Sequence, residues 1–365
     1  MQSVENKAPD IDLDFVQGKL LPEVLKNKFI NSKWQDLKTV KNQNCPYSSI
    51  RIVEFLDEEN SVVTLFLKRI TMPNRTTATI KKALHNETTL LEKMKSGMQG
   101  AAVELIETFP EQQVIVTKKC PGEPIDSSIN AYGFWWKNNA YHNSYRESIA
   151  GQCGTWLKQY HTLTGKKEED LRPWYNYLTG EMTWRNRALN EQLPQYEALF
   201  NEVADYFISG LQGISDQGYS CTYHGDFSPH NIFYDGSKVR VIDFFDAKTG
   251  HPIIDQINFI ASIASRAESP LYPKSRIKTF CHKFLMGYGQ GFDKNTELVS
   301  LMLLLQSVKR LLVLANNRPT RPDKLLINKA AISLYINHMA DHIKNRKNAR
   351  QIGPWPFINL AMLFN

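Results

Sequence analysis

Asp226, Asn231, Asp243 and Asp246 all fall within one short stretch, YHGDFSPHNIFYDGSKVRVIDFFDA, residues 223–247. Each sits beside a hydrophobic residue. Like charges this close repel one another unless something positive binds between them. An oxygen-rich set of Asn plus Asp suits Mg²⁺, which takes one or two carboxylates and leaves its other positions to water and phosphate oxygens. Asp226 lies five residues before Asn231, the D-x-x-x-x-N spacing of a phosphoryl-transfer loop. A merely solvated acidic hairpin would need neither the apolar flanks nor both spacings.

These residues require a scaffold that brings them together. Asp235-Gly236 stands between NIFY and KVRVIDF, a strong short-range hairpin signal. A hairpin puts the start of its first strand and the end of its second at the same end, so Asp226, Asn231 and Asp243 are expected to converge. Upstream, residues 35–119 hold short β-rich runs, SIRIVEFL, SVVTLFLKRI and QQVIVTKK. Between the second and third lies TATIKKALHNETTLLEKMKSG, with Leu84, Leu90, Leu91 and Met94 near helical spacing and a terminal Gly97. After CPGEP (residues 120–124) helical patterns dominate. The chain thus reads as α+β: a β-rich N-lobe over residues 1–119 and a mainly helical C-lobe over residues 120–365.

Composition narrows the class. With 365 residues, 42% hydrophobic and 22% charged, the chain is globular and long enough for two lobes. Its N-terminus, MQSVENKAPDIDLDF, is acidic and polar, so no secretory signal is visible. LVSLMLLLQSV, residues 298–308, is about half a membrane span and ends at Lys309-Arg310, which predicts a buried core helix. Five scattered cysteines without a C-x-x-C pair suggest neither zinc nor a disulfide framework, and a reduced cytoplasm is expected. Charge is uneven: from His251 onward there are 16 Lys and Arg against 6 Asp and Glu, which marks either an anion-binding patch or solvated helix faces.

HGDFSPHN followed by VIDFFDA resembles the aminoglycoside phosphotransferase and choline kinase group, the small-molecule branch of the protein-kinase-like fold. The resemblance implies ATP and Mg²⁺ as cofactors. It makes Asp226 the base that orients the acceptor hydroxyl, Asn231 and Asp243 the Mg²⁺ ligands, and His224 a brace for the loop. Asp246 would either touch the metal's outer shell or serve structurally, by pairing with a nearby base or capping the next turn. The family also uses a strand Lys on the phosphates and a helix Glu paired to it. VTLFLKR supplies Lys68, and HNETTLLEKM supplies Glu87. Alternation puts the competitor Arg69 on the opposite strand face, and Glu92 falls on another face of its helix. VTKKCPGEPI resembles the lobe connector that binds adenine, with Lys118, Lys119 and Cys120 as contacts. Asp255, in HPIIDQINF, resembles the Asp that ties the catalytic loop to the core.

One departure is the loop expected to cover the phosphates, KNQNCPYSS at residues 41–49, which has no Gly. Ser48 and Ser49 would supply hydroxyl or N–H contacts there. GYGQGF, residues 287–292, looks Gly-rich but follows a helical run and is expected to be a helix end. Helix resumes within about a dozen residues of Asp243, with no A-P-E motif and so no peptide platform. The acceptor is therefore expected to be a hydroxyl of a small molecule, a sugar or glycan, with no nucleic-acid partner. Choline or amino-alcohol kinase, aminoglycoside kinase and an inactive ATP-binding scaffold are the alternatives. Two aromatic-rich stretches, residues 130–145 and 172–187, are candidates for the acceptor pocket, or for aromatic packing. Lys344, Arg346, Lys347 and Arg350 precede an apolar, Trp-containing end. That tail either packs on the C-lobe or makes peripheral contact with an anionic membrane at its inner face.

Overall fold

The computed structural model describes residues 11–29, 33–45, 47–73, 75–214, 217–269, 271–289, 296–317 and 322–344. They form two compact units, one from the chain up to Gly122 with Arg240–Ala247, the other from Glu123–Val239 and from Lys248 onward. The break comes just after the expected 119/120 boundary. Residues 240–247, expected in the second lobe, cluster with the first: Val241 bridges Ala102, its N–H donating to the Ala101 carbonyl at 3.2 Å.

The first unit opens with α1 (Ile11–Phe15), a π-helical turn (Val16–Leu20) and α2 (Leu21–Lys28). Next come β1 (Lys33–Cys45), β2 (Ser48–Leu56), β3 (Val62–Ile70), α3 (Thr77–Gly97), β4 (Leu105–Phe109) and β5 (Val114–Lys118). The strands make one sheet in the order β1-β2-β3-β5-β4, antiparallel throughout. Alternation sorts its faces. Val53 and Phe55 of β2 and Leu65 and Leu67 of β3 are buried in one core with Leu13, Val16, Leu21 and Leu25 of the N-terminal helices. Each fully buried side chain of this kind is worth about 1.5–3 kcal/mol of transfer free energy. Two ion pairs fasten the same helices: Arg51 to Asp14 at 2.7 Å, and Arg69 to Asp12. Arg69 therefore shares the face of Leu65 and Leu67, and Lys68 points the other way, as alternation predicts.

Thr76 caps α3, its hydroxyl accepting from the Thr79 N–H at 3.2 Å. The helix buries Ile80, Leu84, Leu90, Leu91 and Met94, and Glu87 lies among them. The loop expected over residues 41–49 is largely strand: β1 runs to Cys45 and pairs it with Ser48, so β1 and β2 form a tight hairpin. Cross-strand hydrogen bonds hold this polar run extended without apolar residues.

In the second unit, β6 (Glu123–Pro124), α4 (Ile125–Ile129), α5 (Tyr132–Trp136), α6 (Ala140–Thr164), β7 (Lys166–Asp170), α7 (Arg172–Gln192) and α8 (Glu197–Gln212) lead to β8 (Gln217–Tyr223). β9 (Ile232–Tyr234) and β10 (Val239–Val241) flank the expected turn, in which Gly236 takes φ 94°. The Asp235 Oδ1 accepts from the N–H groups of Ser237 and Lys238, both at 2.8 Å. β11 (Lys248–Gly250), α9 (Ile253–Ala264), α10 (Lys274–Tyr288), α11 (Thr296–Asn316) and α12 (Pro322–Lys344) complete it. A second sheet has the order β11-β8-β7, and β6 pairs with β9. α11 is long and apolar enough to cross a membrane, but it is largely buried, with Leu301 and Leu305 wholly enclosed; it is the expected core helix. α10 ends where Gly289 turns left-handed at φ 98°, so GYGQGF begins as a helix end; residues 290–292 lie outside the described residues. So do Arg346, Lys347 and Arg350, and with them the tail expected at a membrane or on the C-lobe.

Candidate active site

In the second unit, the loop after β8 is anchored from below. The Asp255 carboxylate, fully buried at the start of α9, accepts from the N–H of His224 at 2.6 Å and of Gly225 at 2.9 Å. His161 of α6 holds the same carboxylate through Nε2 at 3.0 Å. His224 is buried, and its Nδ1 accepts from the Asp226 N–H at 3.2 Å. Phe227 stacks on Trp156 with centroids 5.6 Å apart, which makes Trp156 a packing residue. Backbone, imidazole and aromatic contacts thus tie this loop to α6 and α9.

The Asp226 carboxylate is the product of that anchoring. Its Oδ1 accepts from the Ser228 hydroxyl at 2.9 Å, and its Oδ2 from the Asn231 Nδ2 at 2.9 Å. The His230 ring lies 3.2 Å from Oδ2. Burial would raise the Asp226 pKa; the His230 and Ser228 hydrogen bonds outweigh it and hold the carboxyl below its ordinary value. Asp226 is therefore an ionised acceptor aimed by three neighbours, and its side chain is still about half exposed, at 48%. Asn231 spends its Nδ2 on Asp226, also reaching the Asp226 carbonyl at 3.0 Å, which orients Oδ1 away from these partners.

In the first unit, Lys68 Nζ lies 2.5 Å from Asp243 Oδ2. Burial would lower the Lys68 pKa, but Asp243, Glu87 and Asp246 overcome it and hold the ammonium above its ordinary value. The expected direct Lys68–Glu87 pair is not formed. Glu87 Oε1 instead accepts from the Phe244 N–H at 3.0 Å, and Oε2 has no hydrogen-bond partner among the described residues. Burial and the nearby Asp243 raise the Glu87 carboxyl to about 7. Asp243 takes φ 66°, a left-handed turn that Asp tolerates better than most residues. Asp246 pairs with Arg75 at 2.7 Å, the partnered state that was one of its two expected roles.

Each unit offers a hard oxygen donor of the kind Mg²⁺ takes, Asn231 Oδ1 in the second and the Asp243 carboxylate in the first. Among the described residues no group of three or more His, Cys, Asp or Glu is placed to hold a metal ion. Other nucleotide-side candidates sit as follows. Ser48 and Ser49 are buried strand residues beside the β1–β2 turn. Lys118 is tied to Glu104 at 2.8 Å, Lys119 is exposed with its N–H on the Thr64 carbonyl, and Cys120 is buried.

In the first aromatic stretch Trp135 is fully buried, with Phe134 and Phe280 against it, whereas Trp136 and Tyr141 are exposed. The second divides. Trp174 and Tyr175 are buried, whereas Tyr177 and Trp184 are exposed on α7. Sequence reasoning missed what surrounds them. Lys248 of β11 pairs across the ladder with Tyr223, the residue before His224. Its Nζ lies 3.0 Å from the Tyr177 hydroxyl. Arg185 grips Glu181 at 2.5 Å and lies over the Trp184 ring at 4.2 Å. Lys309 of α11 feels Arg185, Glu181, Lys248 and Asp226. These residues lie on α7, β11 and α11, so no sequence spacing could have linked them.

Solved structures share the architecture. A glucosamine kinase in complex with glucosamine, ADP and inorganic phosphate matches with a TM-score of 0.58 at 13% identity, over 92% of this chain and 87% of that one. An ethanolamine kinase from Plasmodium vivax matches with a TM-score of 0.52 at 11% identity, over 88% of this chain and 87% of that one. At such identities the likeness speaks for the fold. No curated protein matches the sequence. The model of the phosphotransferase enzyme family described as APH matches residues 83–290, a span running from the Glu87 helix through the Asp226 loop and Asp243 to the end of α10. Motif, architecture and family model agree, and the chain belongs to the APH phosphotransferase enzyme family.

Proposed function

We propose that this phosphotransferase moves the γ-phosphoryl group of ATP to a hydroxyl of a small molecule, a sugar or glycan unit. The observation that carries the reading is the Asp226 carboxylate, ionised and aimed by Ser228, His230 and Asn231 on a loop anchored to Asp255. An acceptor-only group of this kind orients a hydroxyl and takes its proton as the phosphoryl group arrives. Its depressed pKa makes it a weak base, so positioning is its larger contribution. Lys68 supports the phosphates, and Glu87 packs behind it. Bound Mg²⁺, on Asn231 and Asp243, would neutralise charge on the phosphate oxygens. Tyr177 and Trp184 are partly exposed on α7, though Lys248 and Arg185 each lie over one of the two rings, so the support they lend to a sugar acceptor is polar, through the Tyr177 hydroxyl and the cations beside it.

The test is ADP formation from Mg-ATP against panels of sugars, amino-alcohols, nucleosides and aminoglycosides, with the product identified by ³¹P NMR. A phosphate ester on a hydroxyl, formed by wild type and not by Asp226→Asn, is the expected result. Turnover in Asp226→Asn equal to wild type would remove the assignment.

A further inference from the structure

We propose that the acceptor carries an anionic group, a carboxylate or phosphate, and that Lys248 and Lys309 hold it beside the Asp226 loop. This rests on the phosphotransferase reading and names the acceptor's charge class.

The argument begins with which charges near Asp226 are already matched. Arg185 is neutralised within its own helix turn by Glu181, at 2.5 Å. Lys248 has a neutral partner only: its Nζ meets the Tyr177 hydroxyl at 3.0 Å and lies 4.2 Å from that ring's centroid. Neither Lys248 nor Lys309 forms an ion pair with any carboxylate among the described residues. Both are half-buried, and each carries a charge that acts on the other. Two ammonium groups in this relation repel, and partial burial strengthens the repulsion.

Position gives the pair its meaning. The β11–β8 ladder sets Lys248 opposite Tyr223, three residues before Asp226. Lys309 comes from α11 and lies within Coulombic reach of both Glu181 and Asp226. Burial first, then Arg185 and Lys248, bring Lys309 down to about 8. Glu181 and Asp226 oppose that lowering without cancelling it. An anion between the two lysines relieves the repulsion, and a hydroxyl on the same molecule can then reach Asp226. A cationic amine there would add a further positive charge, so a choline-like or polyamine acceptor is disfavoured by the same geometry.

The experiment uses full-length protein saturated with Mg-ADP, so that phosphate-type probes do not report on the nucleotide site. Calorimetric titration compares glucose, glucosamine, glucuronate, glucose 6-phosphate and inorganic phosphate. Anions are expected to bind about tenfold or more tightly than glucose or glucosamine, the worth of one charge-assisted contact. Lys248→Met and Lys309→Met should each erase most of that preference while Mg-ADP affinity persists, which shows the variants folded; Lys309→Gln provides a second, polar replacement. Equal or tighter binding of glucosamine, no binding of any anion, or an unchanged preference in the Lys309 variants would each overturn the proposal. Turnover separates the two readings. Efficient phosphorylation of neutral or cationic hydroxyls without anion preference leaves the kinase reading standing and sinks this one. Lysine-dependent anion binding without phosphoryl transfer to any acceptor does the reverse.

Discussion

Asp226 holds its proton too weakly to serve as a strong base, so its removal should damage alignment more than proton transfer alone. Asp226→Ala is expected to cut turnover by roughly 10²–10⁴, with Mg-ATP affinity near wild type; steady-state kinetics beside nucleotide titration will show this. Lys309 adds a pH signature. Its pKa is lowered to about 8, and an anion binds the protonated form. Acceptor kcat/KM should therefore be full below pH 8 and decline as pH rises through it, and Lys309→Met should flatten that limb. Glu87 gives the opposite kind of test. Its folded pKa, about 7, lies above the ordinary value of 4.5, so the fold prefers it protonated. The stability this supplies is complete below pH 4.5 and is lost by pH 7. Glu87→Gln should gain thermal stability relative to wild type between pH 5 and 7, then hold that gain to pH 8, in metal- and nucleotide-free buffer. No relative gain would mean that Glu87 stays ionised. At this scale the catalytic motif was the most legible part of the sequence, because its spacing is local. The Lys68–Asp243 contact was not legible, since it joins residues far apart in the chain.

At the scale of elements, the Asp226 loop is only as firm as what lies beneath it. Asp255 on α9 receives two backbone N–H groups and His161 from α6, so three elements meet at one buried carboxylate. Removing that carboxylate leaves buried donors without an acceptor, at about 1–3 kcal/mol each. Asp255→Ala should therefore lower the thermal midpoint sharply, whereas Asp246→Ala, which breaks only the half-exposed pair with Arg75, should barely move it. α6 and α10 cross so closely that a Cβ on Gly154 would run into the Phe284 carbonyl oxygen, and one on Gly287 into that of Gly151. Those glycines carry no periodicity signal, which is why the crossing was invisible beforehand. β2, β3 and α3 were readable because each has a buried face that repeats with its own period, and β5 because Val114, Ile115 and Val116 form a short apolar run, all buried. β1 and β4 were not, because edge strands pair on one side only; in β1 the apolar residues Trp34, Leu37 and Val40 fall three apart rather than alternating. The N-terminal helices were also missed, although Leu13, Val16, Leu21 and Leu25 bury one face of them.

Across the whole molecule, two lobes could be foreseen from the change in texture near residue 120. That residues 240–247 cluster with the first unit could not, since the bond between Glu87 and Phe244 depends on folding. Ligand linkage provides a global readout. Mg-ADP at about a hundred times its dissociation constant should stabilise the protein by about 2.7 kcal/mol, visible as an upward thermal shift. Lys68→Met should lose much of that shift; Arg69→Met should keep it, while lowering the ligand-free midpoint by releasing Asp12. Of the surplus of positive charge after His251, Arg266, Lys283 and Arg310 are paired with carboxylates, while Lys309 is the member that feels Asp226. The cysteines have a practical consequence. None is disulfide-bonded, and four are buried, with burial pushing the Cys153, Cys221 and Cys281 thiols up. A protonated, enclosed thiol does not react. Cys45, at the end of β1 beside the hairpin turn, is the one with partial exposure. A maleimide dye added to the native protein should couple at a single position, rising to five after denaturation, so the wild-type chain already carries its own attachment point for a fluorescent reporter on the β1–β2 hairpin.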